Sequence, residues 1–280
     1  MLAVVTGAAS GIGRATARQL AARGFRLVLV DRDAEGLRET AAGLLGPEPR
    51  LEKVDLSSLA AVRDLAARLA DEPIDVLINN AGVLVETPEQ TEDGFELTFA
   101  VNTLAPFLLI RLLWPQLVAS GQGRVVNVSS LAYRHGRIDF EDLTGLGSFT
   151  RYGAYARSKL AILLLTRALA RRASDLPVAV NAVHPGVIGT GLGEGGCISL
   201  VMRLAGPLMK TPEQGAAGLV FLAADADPLR CRGEYFSGTR IKRTTARGRD
   251  EASAETLYAA VEALLEPWGP LPPIGGSEAC

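Results

Sequence analysis

Cysteine and histidine are both scarce in this chain of 280 residues: three cysteines, Cys197, Cys231 and Cys280, and two histidines, His135 and His184. Three widely spaced thiols in odd number argue against a disulfide framework, and none of these residues stands at metal-ligand spacing, so no metal is expected. A reducing, cytoplasmic setting fits the same scarcity. An excess of one charge is lacking too. Against 29 Lys and Arg stand 31 Asp and Glu, a formal net charge of -2, which offers no electrostatic pull toward nucleic acid or an anionic membrane. The one basic cluster, Arg240 to Arg249, reads as solvated loop. Long apolar runs are absent as well: the longest, Leu104 to Leu113, contains Pro106 and Arg111, is too short to span a bilayer, and reads as a buried helix. The first strand begins almost at Met1, leaving no room ahead of it for a leader or anchor. A soluble protein without a membrane partner is expected.

What is present is a rhythm. The runs Leu2 to Thr6, Arg26 to Val30, Leu51 to Val54, Ile74 to Ile78, Arg124 to Val128 and Val178 to Val183 are short and mostly apolar. Between them, Arg14 to Arg23, Leu59 to Ala70 and Ala156 to Arg172 carry apolar residues at helical spacing. Strands apolar nearly throughout are buried on both faces, as a parallel sheet covered by helices requires. The expected fold is α/β, one Rossmann-type doubly wound parallel sheet over residues 1–266. Two segments break the rhythm. Gly189 to Met209 is glycine-rich and then apolar, as in a segment that closes over a ligand, and a substrate lid is expected over 189–212. Residues 267–280 read as an extended or disordered tail.

The stretch Thr6-Gly7-Ala8-Ala9-Ser10-Gly11-Ile12-Gly13 follows the first strand and opens a helix. Glycines there permit a tight turn and let backbone N–H groups approach a pyrophosphate at the helix N-terminus. Asp31 ends the second strand, where a carboxylate accepts hydrogen bonds from adenosine ribose hydroxyls and repels a 2′-phosphate. Arg32 and Arg14 act in the opposite sense, so NAD is favoured over NADP on balance. Asp55-Leu56 ends the third strand; Asp55 reads equally as an adenine contact or as a plain helix N-cap. Asn79-Asn80-Ala81-Gly82 ends the fourth, with Asn80, Ala81 and Gly82 small enough for a cofactor to lie against the backbone.

Tyr155 and Lys159 stand four apart in a helix-prone stretch and share one face. A tyrosine at its ordinary pKa of about 10 is a poor base at neutral pH, and a neighbouring ammonium is expected to lower it toward the working range. Tyr152 lacks such a partner, since Ala156 stands four residues on. Ser130 supplies the hydrogen bond that holds a carbonyl oxygen near the phenol, with Ser129 the competing choice.

In order along the chain, Thr6-Gly7-x-x-x-Gly11-x-Gly13, Asn79-Asn80-Ala81-Gly82, Asn102, Ser129-Ser130, Tyr155-x-x-x-Lys159 and Pro185-Gly186 resemble the short-chain dehydrogenase/reductase family from Thr6 to about Leu265. The resemblance implies catalytic roles for Asn102, Ser130, Tyr155 and Lys159. It gives Asn102 the break in a long helix and a water linking Lys159 to solvent, and it favours Ser130 over Ser129. It implies that Thr6, Gly7, Ser10, Gly11, Ile12, Gly13, Asp31, Arg32, Asp55, Leu56, Asn80, Ala81, Gly82, Tyr155, Lys159, Pro185, Gly186, Val187, Ile188 and Thr190 line the cofactor. Pairing into a homodimer or homotetramer through helices at Thr103 to Val118 and Gly153 to Ala173 is also implied.

Ser130 and Tyr155 stand 25 positions apart, nearly twice the family's common separation. The extra stretch, Ala132 to Gly153, with Lys210 to Ala216 and Glu234 to Ser237, looks like the branch that contains the retinol dehydrogenases. Members of that branch often carry Cys-Arg at the Asp31-Arg32 position, favour NADP and are membrane-anchored; this chain departs on the first point and shows no anchor. The expected activity is interconversion of a carbonyl and an alcohol on a small apolar or aromatic substrate, with Phe140, Phe149 and Tyr152 lining its pocket. The alternatives are a C=C reductase of the same fold and a dinucleotide-sensing protein without turnover. His135 reads as a surface residue by the substrate mouth, and His184 as a strand-end residue without a catalytic part.

Overall fold

A computed structural model describes residues 1–147, 149–186, 210–227 and 230–274. The apolar runs form strands that each return through a helix on a sheet face, so seven of them run parallel. In sequence order these are β1 (Leu2–Thr6), β2 (Arg26–Asp31), β3 (Arg50–Lys53), β4 (Val76–Asn79), β5 (Gly123–Val128), β6 (Val178–His184) and β7 (Tyr235–Ser237), with β8 (Arg240–Ile241) antiparallel at the edge. The order across the sheet is β3-β2-β1-β4-β5-β6-β7-β8. β1 pairs with β2 from Leu2↔Arg26 to Thr6↔Val30 and with β4 on its other side. The chain therefore leaves β1 in one direction and returns beside it from the other, which opens a crevice at the carboxyl ends of β1 and β4.

Alternate residues of each strand serve two cores. Ala3, Val5, Leu29 and Ile78 pack with α1 (Gly11–Ala21), α2 (Ala34–Ala42) and α8 (Pro212–Val220) on one face. Val4, Val28, Val30 and Leu77 pack on the other face with α3 (Leu59–Arg68), α5 (Ala105–Leu112), α6 (Trp114–Ala119), α7 (Arg151–Arg172) and α9 (Glu251–Leu265). The run from Leu104 lies in this second layer, where a short α4 (Leu97–Phe99) passes through a π-turn at Ala100–Leu104 into α5. Among the described residues no helix is long and apolar enough to cross a membrane.

The expected strands are found within two residues of their bounds. α7 starts earlier than the apolar spacing indicates, because the Thr150 side chain caps it by accepting from the Gly153 N–H. After a 3₁₀ turn at Glu266–Trp268, residues 269–274 run on without a helix and lie on the protein: Trp268, Leu271 and Ile274 pack on the core, and the Pro272 carbonyl accepts from Arg111.

A polar chain crosses the second core. Asn79 donates to Asn127 at 2.9 Å, and Asn127 donates to Thr166 on α7 at 2.9 Å, all three buried. These bonds fix β4, β5 and α7 relative to one another. Asn127→Ala leaves the Asn79 amide without its acceptor inside the core, while the Thr166 hydroxyl keeps its bond to the Ile162 carbonyl, and is expected to cost about 1–3 kcal/mol in a urea titration. A loss below about 0.5 kcal/mol would show that water replaces the amide at no cost.

Candidate functional site

The glycine turn is built for an anion. Gly7 and Gly11 hold φ of +68° and +50°, the left-handed region open to glycine. At Gly13 a Cβ would stand 1.9 Å from the Gly7 carbonyl oxygen, so only glycine lets α1 sit against the turn. Ser10 is the N-cap of α1, yet its hydroxyl makes no capping bond and no acidic residue stands in the first turn. The first N–H groups are thus left to a ligand, with the helix dipole favouring negative charge. Ile12 packs inward against the first core and anchors the helix start.

Asp31 ends β2 beside this turn. Its carboxylate accepts from the Ala9 N–H at 3.0 Å and from the Asp33 N–H at 3.1 Å, which fixes the charge in place. Arg14 is committed elsewhere: its guanidinium donates to the Ala9 carbonyl and Thr40 Oγ1 and pairs with Glu39 at 2.9 Å. Arg32 is exposed. Asp55 accepts from the Ser57 N–H at 2.9 Å and the Ser57 hydroxyl at 2.8 Å, closing a turn, while Ser58 is the N-cap of α3. The helix-cap reading of Asp55 is therefore corrected: the side chain acts in the turn before Ser58, three residues ahead of the cap. Leu56 is buried in the second core.

Thr6 and Asn80 join the ends of β1 and β4. The Thr6 hydroxyl accepts from the Asn80 and Ala81 N–H groups, each at 3.1 Å, and the Asn80 amide donates to the carbonyls of Thr6 at 2.9 Å and Gly7 at 3.2 Å. Gly82 brings this end to the catalytic candidates: a Cβ on it would lie 3.2 Å from Asn102 Oδ1 and 3.5 Å from Lys159 Nζ.

Tyr155 and Lys159 share a face of α7, as their spacing implies. Ser130 stands near enough to the Tyr155 phenol to draw its pKa down, and its hydroxyl accepts from the Ala132 N–H at 3.2 Å. The Ser129 hydroxyl instead donates to the Lys159 carbonyl at 2.9 Å, so it is engaged in holding α7. Lys159 is 4% exposed and its ammonium donates to the Val128 carbonyl at 3.0 Å. Burial lowers the Lys159 pKa to about 8. The Tyr155 phenol is pushed up by burial, against a downward pull from Ser130 and a further upward push from Tyr152. This corrects the expectation of a lowered phenol. The ammonium lies 5.5 Å from the ring centroid, and desolvation outweighs it.

Asn102 sits within the π-turn, where the long helix is broken. Its amide oxygen accepts from the Val83 N–H at 2.8 Å, and its NH₂ donates to the Val83 carbonyl at 3.0 Å and to Ser158 Oγ at 3.1 Å. Ser158 donates in turn to the Tyr155 carbonyl at 2.8 Å. Sequence reasoning passed over Ser158. Its place one turn after Tyr155, on the same helix face, was the available signal.

The extra stretch is partly anchored away from the phenol. Asp142 caps a tight turn through Thr144, Gly145 and Gly147, and Arg157 reaches back to its carbonyl. Phe140 lines a groove of about 450 Å³ with Leu143, Ala260, Ala263 and Leu264. There it faces α9. Tyr152, 49% exposed, accepts from or donates to His135 Nδ1 at 2.9 Å. Pro185 and Gly186 follow β6 at the same sheet edge. Val187, Ile188 and Thr190, and the proposed lid up to residue 209, lie outside the described residues, while Thr211 and Pro212 are the cap and first turn of α8.

The chain resembles known proteins along most of its length. Residues 1–195 match the family model described as short chain dehydrogenase. Human retinol dehydrogenase 13 is 40% identical over 94% of this chain and 83% of its own. A protein of Streptomyces sp. (strain C5), named as a daunorubicin C-13 ketoreductase, DnrU, is 39% identical over 94% of this chain and 91% of its own. A metagenomic short-chain oxidoreductase solved in complex with NADP is 31% identical, with a TM-score of 0.62 over 81% of this chain and 92% of that one.

His184, at the end of β6, is buried, and its Nδ1 finds no hydrogen-bond partner among the described residues. Burial first, then Lys210 and Arg134, lowers its pKa to about 4. Between pH 6.5 and 4 the unfolded chain binds a proton that the folded chain refuses, so stability is lost as pH falls through this window. The expected loss from this residue is about 2 kcal/mol at pH 5 relative to pH 7, read from urea midpoints. His184→Asn should flatten that part of the slope; an unchanged slope would assign the acid sensitivity to other groups.

Proposed function

The chain belongs to the short-chain dehydrogenase family and is an NAD(P)-dependent oxidoreductase; from that premise we propose that it interconverts a carbonyl and an alcohol on a small apolar or aromatic substrate, with Tyr155 as the acid/base. The observation that carries this reading is that Tyr155 and Lys159 share one face of α7, the Lys159 ammonium 5.5 Å from the Tyr155 ring centroid, with Ser130 near enough to the phenol to draw its pKa down. A carbonyl oxygen placed between the Ser130 and Tyr155 hydroxyls would accept from both. Burial keeps the phenol protonated, the form needed to donate to the alkoxide that develops during reduction. In the oxidative direction the phenol must give up its proton, and Lys159 is the nearby cation that stabilises the phenolate. Asn102, through Ser158, holds the turn of α7 that carries the phenol. With the amide fully engaged, a water relay to Lys159 would run from main-chain carbonyls of the π-turn. Retinol dehydrogenase 13 and DnrU carry names that denote an alcohol and a ketone substrate, which supports carbonyl chemistry.

The cofactor cradle fits a dinucleotide because its first-turn N–H groups are uncapped and Gly13, where a Cβ would meet the Gly7 carbonyl, lets α1 start against the turn. When bound, the nicotinamide dinucleotide supplies or accepts the hydride. The Gly7 to Gly13 turn would hold its pyrophosphate, Asp31 its adenosine ribose, and Asn80 to Gly82 with Tyr155 and Lys159 its nicotinamide end. Asp31 is fixed by two backbone N–H groups while Arg14 is committed to Glu39, and this favours NAD over NADP.

Two measurements test the reading. Titration with NADH and NADPH, followed by cofactor fluorescence, should show tighter NADH binding and a gain for NADPH in Asp31→Ala. Tighter NADPH binding by the unaltered chain would reverse the preference and assign the phosphate to Arg32. Tyr155→Phe should lower kcat about 10²–10⁴-fold on a panel of apolar ketones and aldehydes with cofactor affinity kept. Cofactor binding with no turnover of any panel member by the unaltered chain would support the sensing alternative, and products that keep the carbonyl but lose a C=C bond would support the other.

A further inference from the structure

The carboxyl ends of β6 and β7 gather polar groups that neither the core nor the cofactor cradle employs. His184 ends β6 opposite Ser237, and Tyr235 stands opposite Ala182 two residues earlier. Side chains alternate across a strand, so His184 and Tyr235 share the sheet face of Ala182, the one that α7 covers. Tyr235 is 2% exposed, and its hydroxyl, like the Nδ1 of His184, finds no hydrogen-bond partner among the described residues. Buried polar atoms are ordinarily paired, and here two at one sheet end are not.

Two cations converge on this corner. A 3₁₀ turn at Leu131–His135 follows Ser130, and in it Tyr133 packs on the Tyr235 ring at 5.2 Å between centroids. The next residue, Arg134, is exposed. Lys210, also exposed, comes in against the residues after β6: a Cβ on Gly186 would stand 2.7 Å from its Cδ and 3.2 Å from its Nζ. After burial, Lys210 and then Arg134 are what lowers the His184 pKa. Burial pushes the Tyr235 phenol up, as do Tyr133 and Tyr155, while Arg134 pulls it down. Arg134 thus lies within electrostatic reach of both buried groups, Lys210 of one and the Tyr155 phenol of the other. Among the described residues neither Arg134 nor Lys210 forms an ion pair. Like charges held together without a carboxylate raise the local potential and draw an anion.

The position points to substrate rather than cofactor. β6 lies three strands from β1, about 14 Å at ordinary strand spacing, and the Ser130 end of β5 stands between them. We propose that Arg134 and Lys210 form an anion subsite beside Ser130 and Tyr155, with the Tyr235 hydroxyl and His184 Nδ1 as its polar floor, and that the substrate is an apolar or aromatic carbonyl compound carrying a carboxylate. An arginine offers a carboxylate two parallel N–H donors and a lysine adds a point charge, so the pair selects an acid over an ester of the same shape. For the reacting end of the substrate the inference rests on the carbonyl chemistry proposed at Tyr155; for the charged end it rests on the two cations.

Calorimetric titration of the NAD⁺-loaded chain with para-acetylbenzoate and benzoylpropionate, each against its methyl ester, reads the subsite without turnover, because the oxidised cofactor has no hydride to give a ketone. At least one acid is expected to bind about tenfold tighter than its ester. Arg134→Gln combined with Lys210→Gln, both at exposed positions, should abolish that preference and leave the affinities for ester and NAD⁺ as they were. Tyr155→Phe should keep it, so failure of the unaltered chain to reduce any ketone counts against the carbonyl chemistry and not against the subsite. Acids that bind no better than their esters overturn the subsite, as does a preference that survives the double substitution. A double variant that loses NAD⁺ affinity in place of the acid preference assigns the charges to the cofactor and overturns it equally.

Discussion

The join between the ends of β1 and β4 is the constraint from which the site is built. These neighbouring strands are far apart in sequence, and their helices leave on different sides of the sheet, so their carboxyl ends are the place where the backbone lies open. An open sheet end exposes polar backbone groups that need partners. Thr6 and Asn80 provide them reciprocally, the hydroxyl taking two N–H groups and the amide giving to two carbonyls. The glycine turn is thereby tied to the strand that ends at Gly82, and Gly82 abuts Asn102 and Lys159. The candidate cofactor cradle and candidate catalytic residues share one seam.

α7 supplies the second part of that seam. It is tied to the sheet through Thr166 and Asn127, to the end of β5 through the Ser129 bond to its Lys159 carbonyl, and to the π-turn through Ser158 and Asn102. Such a helix holds side chains more closely than a loop does. Burial has an electrostatic consequence, because among the described residues the Lys159 ammonium finds a single acceptor, the Val128 carbonyl. The same layer that fixes the geometry removes water from the cation.

The sequence disclosed those parts of this arrangement that depend on local pattern. Six strands, the glycine turn and the Tyr155/Lys159 spacing are properties of short stretches, and the steric demand at Gly13 is met by any helix entering at that angle. Choices among partners were not legible. Asp55 is followed by a serine that its carboxylate captures and by Ser58, a better-placed cap, so which residue caps α3 depends on the path of the turn. Phe140 reads as pocket lining until α9 is placed beside it, and nothing within the stretch itself shows that α9 is there. The leucines of α7 have the same ambiguity. An apolar face specifies that something covers it, and only the tertiary structure shows that Tyr258 and its neighbours do.

The two shifts at the centre of the site belong together. Burial drives Tyr155 up and Lys159 down, in each case toward the neutral form, so the phenolate–ammonium pair is disfavoured by the same low dielectric that would strengthen the attraction within it. Hydrogen bonds set the balance: Ser130 pulls the phenol back toward ionisation, and the Val128 carbonyl favours the charged lysine. With Lys159 near 8, the ammonium is mostly retained at neutral pH while the phenol keeps its proton. The site thus rests with a protonated phenol and a cation on one buried helix face, the two forms that the proposed proton transfer by Tyr155 needs.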